Sequence, residues 1–168
     1  MSAILVAVVT FAAMEGVSYA AHRWVMHGRS GIGWHVSHHR PASGRLERND
    51  LFPAVFSVVG FGLFAGAIAW PVLWPVAVGV TAYGVAYLVV HELFIHRRLA
   101  APQPRWRYLA WLRRSHALHH RYGGEPYGML LPVVPRELRE RAAAGEPDAA
   151  GSERLVRRAS TRPTRSRL

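Results

Sequence analysis

The sequence predicts an all-α integral membrane protein, a bundle of about three transmembrane helices with one further helix at the cytoplasmic interface. Three observations predict it. Hydrophobic residues make up 51% of the 168 positions and charged residues only 18%, a balance that is unusual for a soluble domain. All 21 basic residues are arginines, and they are absent from residues 1–22 and 49–95. The ten histidines fall in short clusters at or beyond the ends of these arginine-free stretches.

The first apolar segment runs from Ala3 to Ala21. Its 19 residues would form a helix of roughly 28 Å, close to the hydrocarbon thickness of a bilayer. A cleavable signal peptide carries its basic residues before the apolar core. Here the basic residues follow the core, so we expect the segment to be retained as the first crossing.

The second apolar segment, Leu51 to Ile95, is too long for one crossing. Two Trp-Pro pairs, at positions 70–71 and 74–75, interrupt it. The sequence therefore predicts two helices, Leu51 to Ala69 and Val76 to Ile95, that form an antiparallel transmembrane hairpin.

The distribution of arginine predicts the orientation of these helices. Three crossings place the loop Arg23 to Arg48 and the region after Arg97 on one side of the membrane, and all 21 arginines fall there. The positive-inside rule makes that side cytoplasmic, which predicts a multi-pass protein of the inner membrane with a cytoplasmic C-terminus. Nucleic-acid binding is not expected, because topology alone explains the net charge of +11.

The rest of the chain, after the third crossing, divides into short elements. Residues Arg105 to His120 alternate aromatic residues with arginines, which is typical of an interfacial helix. Gly123 to Pro126 predicts a turn. We divide the chain into a membrane-embedded region, residues 1–135, and a second region, residues 136–168, with a brief helix and a disordered, arginine-rich tail.

The histidines are the candidate functional residues. The chain has no cysteine, so any metal must be bound by nitrogen or oxygen, and imidazole suits iron, copper, zinc or nickel. Ten imidazoles exceed the positions around one ion, which favours two metals. The candidate ligands form two pairs and two triplets: His22 and His27; His35, His38 and His39; His91 and His96; His116, His119 and His120.

The spacing within each cluster predicts its geometry. On an α-helix the triplet spacing i, i+3, i+4 places three imidazoles within about 100°, where they can face a common point. The pair spacing i, i+5 separates two side chains by about 140°. We therefore expect each triplet to serve one site and each pair to contact two neighbouring metals.

Other classes of metalloprotein fit less well. The segment His91 to His96 resembles a zinc-peptidase helix, but that motif requires histidines at i and i+4. A bis-histidine haem protein would leave the triplets without a role. A histidine-rich metal transporter or storage protein stays open as an alternative, although a transporter should carry polar residues along a path through the membrane.

Two further features lie outside the clusters. Glu15 is seven residues before His22, on nearly the same helix face, so it either orients a ligand or is hydrogen-bonded inside the bundle. Asn49 and Asp50, which come directly before Leu51, are expected to cap the second crossing.

The histidine boxes and their contexts resemble those of a known family. The boxes are, in order, HRWVMH, HVSHH, HELFIH and HALHH, with MEG before the first, RNDLF opening the second crossing and TAYGVAYLVVHELFIH ending the third. This set, from about Met14 to Pro135, resembles the bacterial beta-carotene 3-hydroxylases of the fatty acid hydroxylase superfamily.

The resemblance implies an integral membrane monooxygenase with two ferrous ions, using O2 and electrons from a ferredoxin or a similar donor. Its substrate would be a carotenoid in the bilayer, hydroxylated at C3 of the beta-ionone rings, so that beta-carotene becomes beta-cryptoxanthin and then zeaxanthin. The resemblance assigns the ligand role to all ten histidines. Within the superfamily, another lipid substrate such as a sterol, a fatty acyl chain or a different carotenoid stays open.

Overall fold

The fold is described by a computed structural model that covers residues 2–40, 46–99 and 106–145. These residues form helices and no strand. Three of their helices are long and apolar enough to cross a membrane: Ala3–Met26, Arg48–Ala69 and Pro71–Ile95. The predicted all-α class and the three predicted membrane-length helices are thereby confirmed. The predicted tail from residue 146 onward lies outside the described residues.

The first long helix, α1, spans Ala3–Ala20 and continues without a break as a π-helix over Ala21–Met26. The Ser2 hydroxyl caps it by accepting a hydrogen bond from the Leu5 N–H at 3.3 Å. After the short helix α2, Ile32–His35, the chain reaches the second long helix.

The hairpin is formed by α3, Leu51–Ala69, and α4, Trp74–Tyr87. The bounds of α3 match the prediction. Helix α4 begins two residues before the predicted Val76, because Pro75 lies in its first turn, where no N–H donor is needed. Helix α4 then continues as a second π-helix, Leu88–Ile95.

Contacts along α4 show how the three long helices run. Near the start of α4, Gly79 lies against Ala7 and Thr10 near the start of α1, so these two helices are parallel. Phe64, late in α3, contacts Trp74 at the start of α4 with ring centroids 5.3 Å apart, so α3 is antiparallel to α4. The ends of α1 and α4 and the beginning of α3 therefore lie together, and the histidines lie at this end of the bundle.

The contact at Gly79 leads to a stability prediction. A Cβ at this position would lie 2.5 Å from the Ala7 carbonyl oxygen and 2.7 Å from the Thr10 Cβ. We expect Gly79→Ala to force α1 away from α4 and to cost about 1–3 kcal/mol, measured as a lower unfolding midpoint in detergent. Gly62→Ala is the control, because a Cβ there meets nothing within 4 Å. Equal midpoints for the two variants would contradict this packing.

Two shorter helices complete the described fold. Helix α5, Arg107–Tyr122, starts and ends two residues after the predicted interfacial helix, and Gly123 ends it in the left-handed conformation with φ 67°. Helix α6 covers Arg136–Ala143, where the sequence predicts a brief helix. The buried face of α5 carries His116 and His119 to the histidine end of the bundle.

Candidate metal centre

The two histidine pairs lie on the two π-helices. The N–H of His27 donates to the carbonyl of His22 at 3.0 Å, and the N–H of His96 donates to the carbonyl of His91 at 2.9 Å. In an i→i+5 turn, residues five apart lie on one face. The ring centroids are accordingly only 5.1 Å apart in the first pair and 4.5 Å in the second. The expectation that each pair would diverge towards two metals, which assumed α-helical geometry, is wrong.

Eight of the ten histidines form two compact groups. Within each group every residue offers one ring nitrogen, and these nitrogens lie within 4.8 Å of one another. Cluster 1 contains His22, His27, His35 and His119, and cluster 2 contains His38, His96, His116 and His120.

The other two histidines lie next to the clusters. The Nε2 atom of His39 is 3.1 Å from that of His35 in cluster 1, and its ring stacks on His120 of cluster 2 at 4.4 Å. The Nε2 atom of His91 is 3.2 Å from that of His38 in cluster 2. All ten predicted residues are thus brought together, and the two clusters are neighbours.

The triplets do not each serve one cluster, contrary to the spacing argument. Helix α2 ends at His35, so His38 and His39 lie on the following turn and the first triplet is not one helix face. On α5, residues His116 and His120 are one turn apart and share cluster 2, whereas His119 lies beside them and joins cluster 1. Each triplet therefore contributes to both clusters and connects them.

Two ligand candidates in cluster 1 are oriented by backbone carbonyls. The Nδ1–H of His22 donates to the carbonyl of Tyr127 at 3.0 Å, and that of His119 donates to the carbonyl of Gly124 at 2.6 Å. Both carbonyls belong to the loop after α5. Because a carbonyl oxygen only accepts, the proton of each neutral ring lies on Nδ1 and the Nε2 lone pair is free to bind a metal.

Side chains supply the same kind of acceptor to three further histidines. Asn49 is buried and serves this purpose, so the expectation that it caps a helix is wrong. The same expectation for Asp50 is confirmed, because Asp50 and Glu47 form a capping box around the short 3-10 turn, Arg48–Asp50, that leads into α3. The contacts are His35 Nδ1 to Asn49 Oδ1 at 2.8 Å, His38 Nδ1 to Glu47 Oε2 at 3.1 Å, and His91 Nδ1 to Glu92 Oε1 at 2.6 Å.

These tautomers make a cation the natural occupant of each cluster. The Nε2 atoms of His22 and His35 are 3.2 Å apart, as are those of His38 and His91. With both Nδ1 atoms of each pair protonated, neither Nε2 carries a hydrogen, so these contacts are facing lone pairs and not hydrogen bonds. In addition, the buried Nε2 of His120 has no hydrogen-bond partner among the described residues. The donor sets therefore fit metal ions bound by imidazole nitrogen.

Burial keeps the clustered imidazoles neutral. Burial first, and the neighbouring imidazoles second, lower the pKa of His35, His39 and His96 from 6.5 to about 3. Burial likewise holds the pKa of His116 and His119 well below 6.5. A neutral ring keeps the lone pair that metal binding needs, so these side chains are ready to bind a cation at neutral pH.

An ion-pair network supports cluster 2 from outside. The second carboxylate oxygen of Glu92 accepts from Arg98 at 2.9 Å, and Arg98 also binds both oxygens of Asp50, at 2.5 and 2.8 Å. Asp50 precedes α3 and Glu92 lies in the π-helix that follows α4. The network thus fixes the relative positions of two helices at the point where His91 enters the site.

Glu15 holds the loop that supports cluster 1. Its carboxylate accepts a hydrogen bond from the Tyr83 hydroxyl at 2.7 Å. It also accepts at 2.8–3.1 Å from three consecutive backbone N–H groups, those of Met129, Leu130 and Leu131. The sequence left two roles open for Glu15, and the structure combines them: it is hydrogen-bonded in the bundle and supports ligands indirectly.

A membrane-length helical bundle with two neighbouring four-histidine clusters at one end defines a class: histidine-box membrane proteins. The fatty acid hydroxylase family model matches residues 7–137. The chain is 43% identical to a beta-carotene hydroxylase of Paracoccus sp. (strain PC1) over 129 residues, covering 76% of this chain and 80% of the relative. It is 39% identical to a beta-carotene hydroxylase of Pantoea ananas over 163 residues, covering 89% and 92%.

A more distant relative is the chloroplastic beta-carotene 3-hydroxylase of Haematococcus lacustris, 36% identical over 79% of this chain and 44% of the relative. The chain belongs to the fatty acid hydroxylase family and, within it, to the beta-carotene hydroxylases. No solved structure matches this chain.

Proposed function

We propose that this protein is a di-iron membrane monooxygenase that hydroxylates C3 of the beta-ionone rings of carotenoids. Beta-carotene is converted to beta-cryptoxanthin and then to zeaxanthin with O2 and with electrons from a ferredoxin-type donor. The observation that carries the proposal is the pair of neighbouring histidine clusters in a chain 39–43% identical to beta-carotene hydroxylases.

In this proposal cluster 1 holds one iron ion and cluster 2 holds the other, while His39 and His91 complete the ligand set. Neutral imidazole without thiolate is a donor set that iron accepts. When bound, the two ferrous ions supply the reductive activation of O2 that hydroxylation of an unactivated C–H bond requires.

The chain's own residues orient the ligands and exclude water. Hydrogen bonds from Nδ1 to fixed acceptors set the ring orientation of His22, His35 and His119, which such acceptors do for metal-bound histidines generally. His35 and His119 are only 1% and 0% exposed, so solvent does not compete at cluster 1. A carotenoid ring would approach from the apolar side of the bundle, and the protein would hold it next to the metals.

The proposed orientation places the histidine end in the cytoplasm and the turn at Trp70 and Pro71 in the periplasm of an inner membrane. It is supported by the arginines, all of which lie either between His22 and Leu51 or after His96, on the histidine side of the three crossings. We expect a reporter that is active only in the periplasm to be active when inserted at Trp70 and inactive when fused to Leu168. Activity at Leu168 would contradict the three-crossing orientation.

The reaction is tested by expressing the protein in a bacterium that accumulates beta-carotene and separating the pigments by chromatography. We expect beta-cryptoxanthin and zeaxanthin to appear only when the protein is present and oxygen is supplied. Hydroxylated fatty acids or sterols with unchanged beta-carotene would indicate another lipid substrate. Iron binding without oxygen consumption would indicate the transporter or storage alternative.

A further inference from the structure

An apolar groove lies between α1 and α3, with α4 as its floor. It has a volume of about 630 Å³, within the usual range of ligand pockets, about 300–1,000 Å³. One wall is formed largely by phenylalanines of α3, including Phe52, Phe56 and Phe64, and Met14 of α1 lies on the opposite wall. From Phe52 to Phe64 the helix rises about 18 Å, so the groove is long and runs along the helices.

One end of the groove reaches the histidine clusters. Met26 lines the groove and directly precedes His27 of cluster 1. Tyr87 also lines it, and its ring stacks on His91 with centroids 4.7 Å apart and planes 30° apart. The polar lining residues at this end include Asp50 and Arg98, which belong to the ion-pair network beside cluster 2. The groove therefore ends next to the candidate metal centre.

We propose that this groove binds the polyene chain of a carotenoid, with the ring to be hydroxylated at the histidine end. This inference rests on the proposed function and adds the binding site of the substrate's non-reacting part. An occupant must be long, apolar and present at membrane depth, because the groove runs along membrane-length helices and its charged lining residues, Asp50, Glu92 and Arg98, all lie at its histidine end. The phenylalanine wall of α3 suits a flat conjugated chain, and binding the polyene would position the ring beside the metals.

Gly84 offers a way to fill the groove without disturbing the helices. It lines the groove, and a Cβ at this position would meet nothing within 4 Å. A leucine there would project into the open groove. Gly62 of α3 is the matched control, since it is also an exposed helical glycine with nothing within 4 Å of its Cβ position, and it does not line the groove.

The test compares wild-type protein, Gly84→Leu and Gly62→Leu, purified in detergent. It measures iron per chain, the quenching of tryptophan fluorescence by added beta-carotene, and hydroxylated product in beta-carotene-accumulating cells. We expect all three proteins to bind equal iron, and Gly84→Leu to bind beta-carotene at least about tenfold more weakly and to form correspondingly less product. Ser57→Leu, which narrows the groove from α3, should have the same effect.

The outcomes separate this inference from the proposed function. If Gly84→Leu and Ser57→Leu bind beta-carotene and form product as Gly62→Leu does, the groove is not the polyene site, although the proposed reaction stands. If wild-type protein binds beta-carotene in a way that Gly84→Leu weakens but forms no hydroxylated carotenoid, the groove assignment stands and the proposed reaction is wrong. A groove filled by an ordinary acyl chain would be seen as equal quenching in every variant, which overturns the inference.

Discussion

Replacing His119 by alanine is expected to abolish hydroxylated product and to remove iron from cluster 1. The side chain is fully buried, its Nε2 lies 3.2 Å from that of His27, and its Nδ1 is held by the Gly124 carbonyl. Loss of an outer hydrogen-bond partner alone typically lowers metal affinity by about 10–100-fold, and loss of a ligand should cost more. The measurement is iron per purified chain together with product formed.

Loss of product is likewise expected for His38→Ala and His96→Ala, but here the iron should be lost from cluster 2, to which both residues belong. Arg40→Ala is the control, because it changes a residue next to His39 without removing an imidazole. All variants should still insert, since lipid and helix packing hold the crossings in place. Near-normal product with retained iron in two of the three histidine variants would favour the transporter or storage alternative.

Replacing Glu15 by glutamine is expected to weaken iron binding at cluster 1, although Glu15 is not itself a ligand candidate. The Glu15 carboxylate only accepts hydrogen bonds, and its donors include three backbone N–H groups of the loop after α5. A glutamine amide turns two donors of its own towards that site, so part of the loop should detach. The carbonyls of Gly124 and Tyr127 on this loop orient His119 and His22, and we expect iron affinity at cluster 1 to fall by about 10–100-fold.

The measurement for Glu15→Gln is iron retention against increasing chelator, combined with hydrogen exchange of the amides of residues 129–131. The control is Tyr83→Phe, which removes only one donor to the same carboxylate. Loss of this single hydrogen bond should lower the free energy of unfolding by about 1 kcal/mol and should reduce iron retention less than Glu15→Gln does. Faster amide exchange with unchanged iron retention would mean that the loop does not support the ligands.

The long helices could be predicted because local properties of the sequence determine them. The run from Leu51 to Ala69 contains no charged residue, and Trp70 and Pro71 follow it directly. Both bounds of α3 could therefore be predicted from the sequence. The positions of the histidine clusters along the chain could also be identified from the sequence. Their meeting at one end of the bundle followed from counting the crossings.

The grouping of the ligands could not be predicted with α-helical angles. The pair His22 and His27 shares one face only because the helix widens to a π-helix at that point, and the i, i+5 spacing of the two pairs was the signal that could have indicated this. Splitting of the first triplet depends on where α2 ends, at His35.

The residues that support the ligands were largely missed. The acceptors for His22 and His119 are backbone carbonyls, and a backbone group leaves no signature in a sequence. The carbonyl that binds His22 belongs to Tyr127, more than 100 positions further along the chain. Glu15 could be recognised as a carboxylate at membrane depth, but its partners are backbone N–H groups. Asn49 was taken for a helix cap because Asn before an apolar run usually is one.

The number of iron ions per chain tests the central claim most directly. We expect two ions per wild-type chain, and one ion in each of two variants that damage opposite clusters, His27→Ala and His116→Ala. These residues belong to clusters 1 and 2, respectively. One ion in the wild-type protein, or two ions retained in both variants, would contradict the account of two iron sites made from ten histidines.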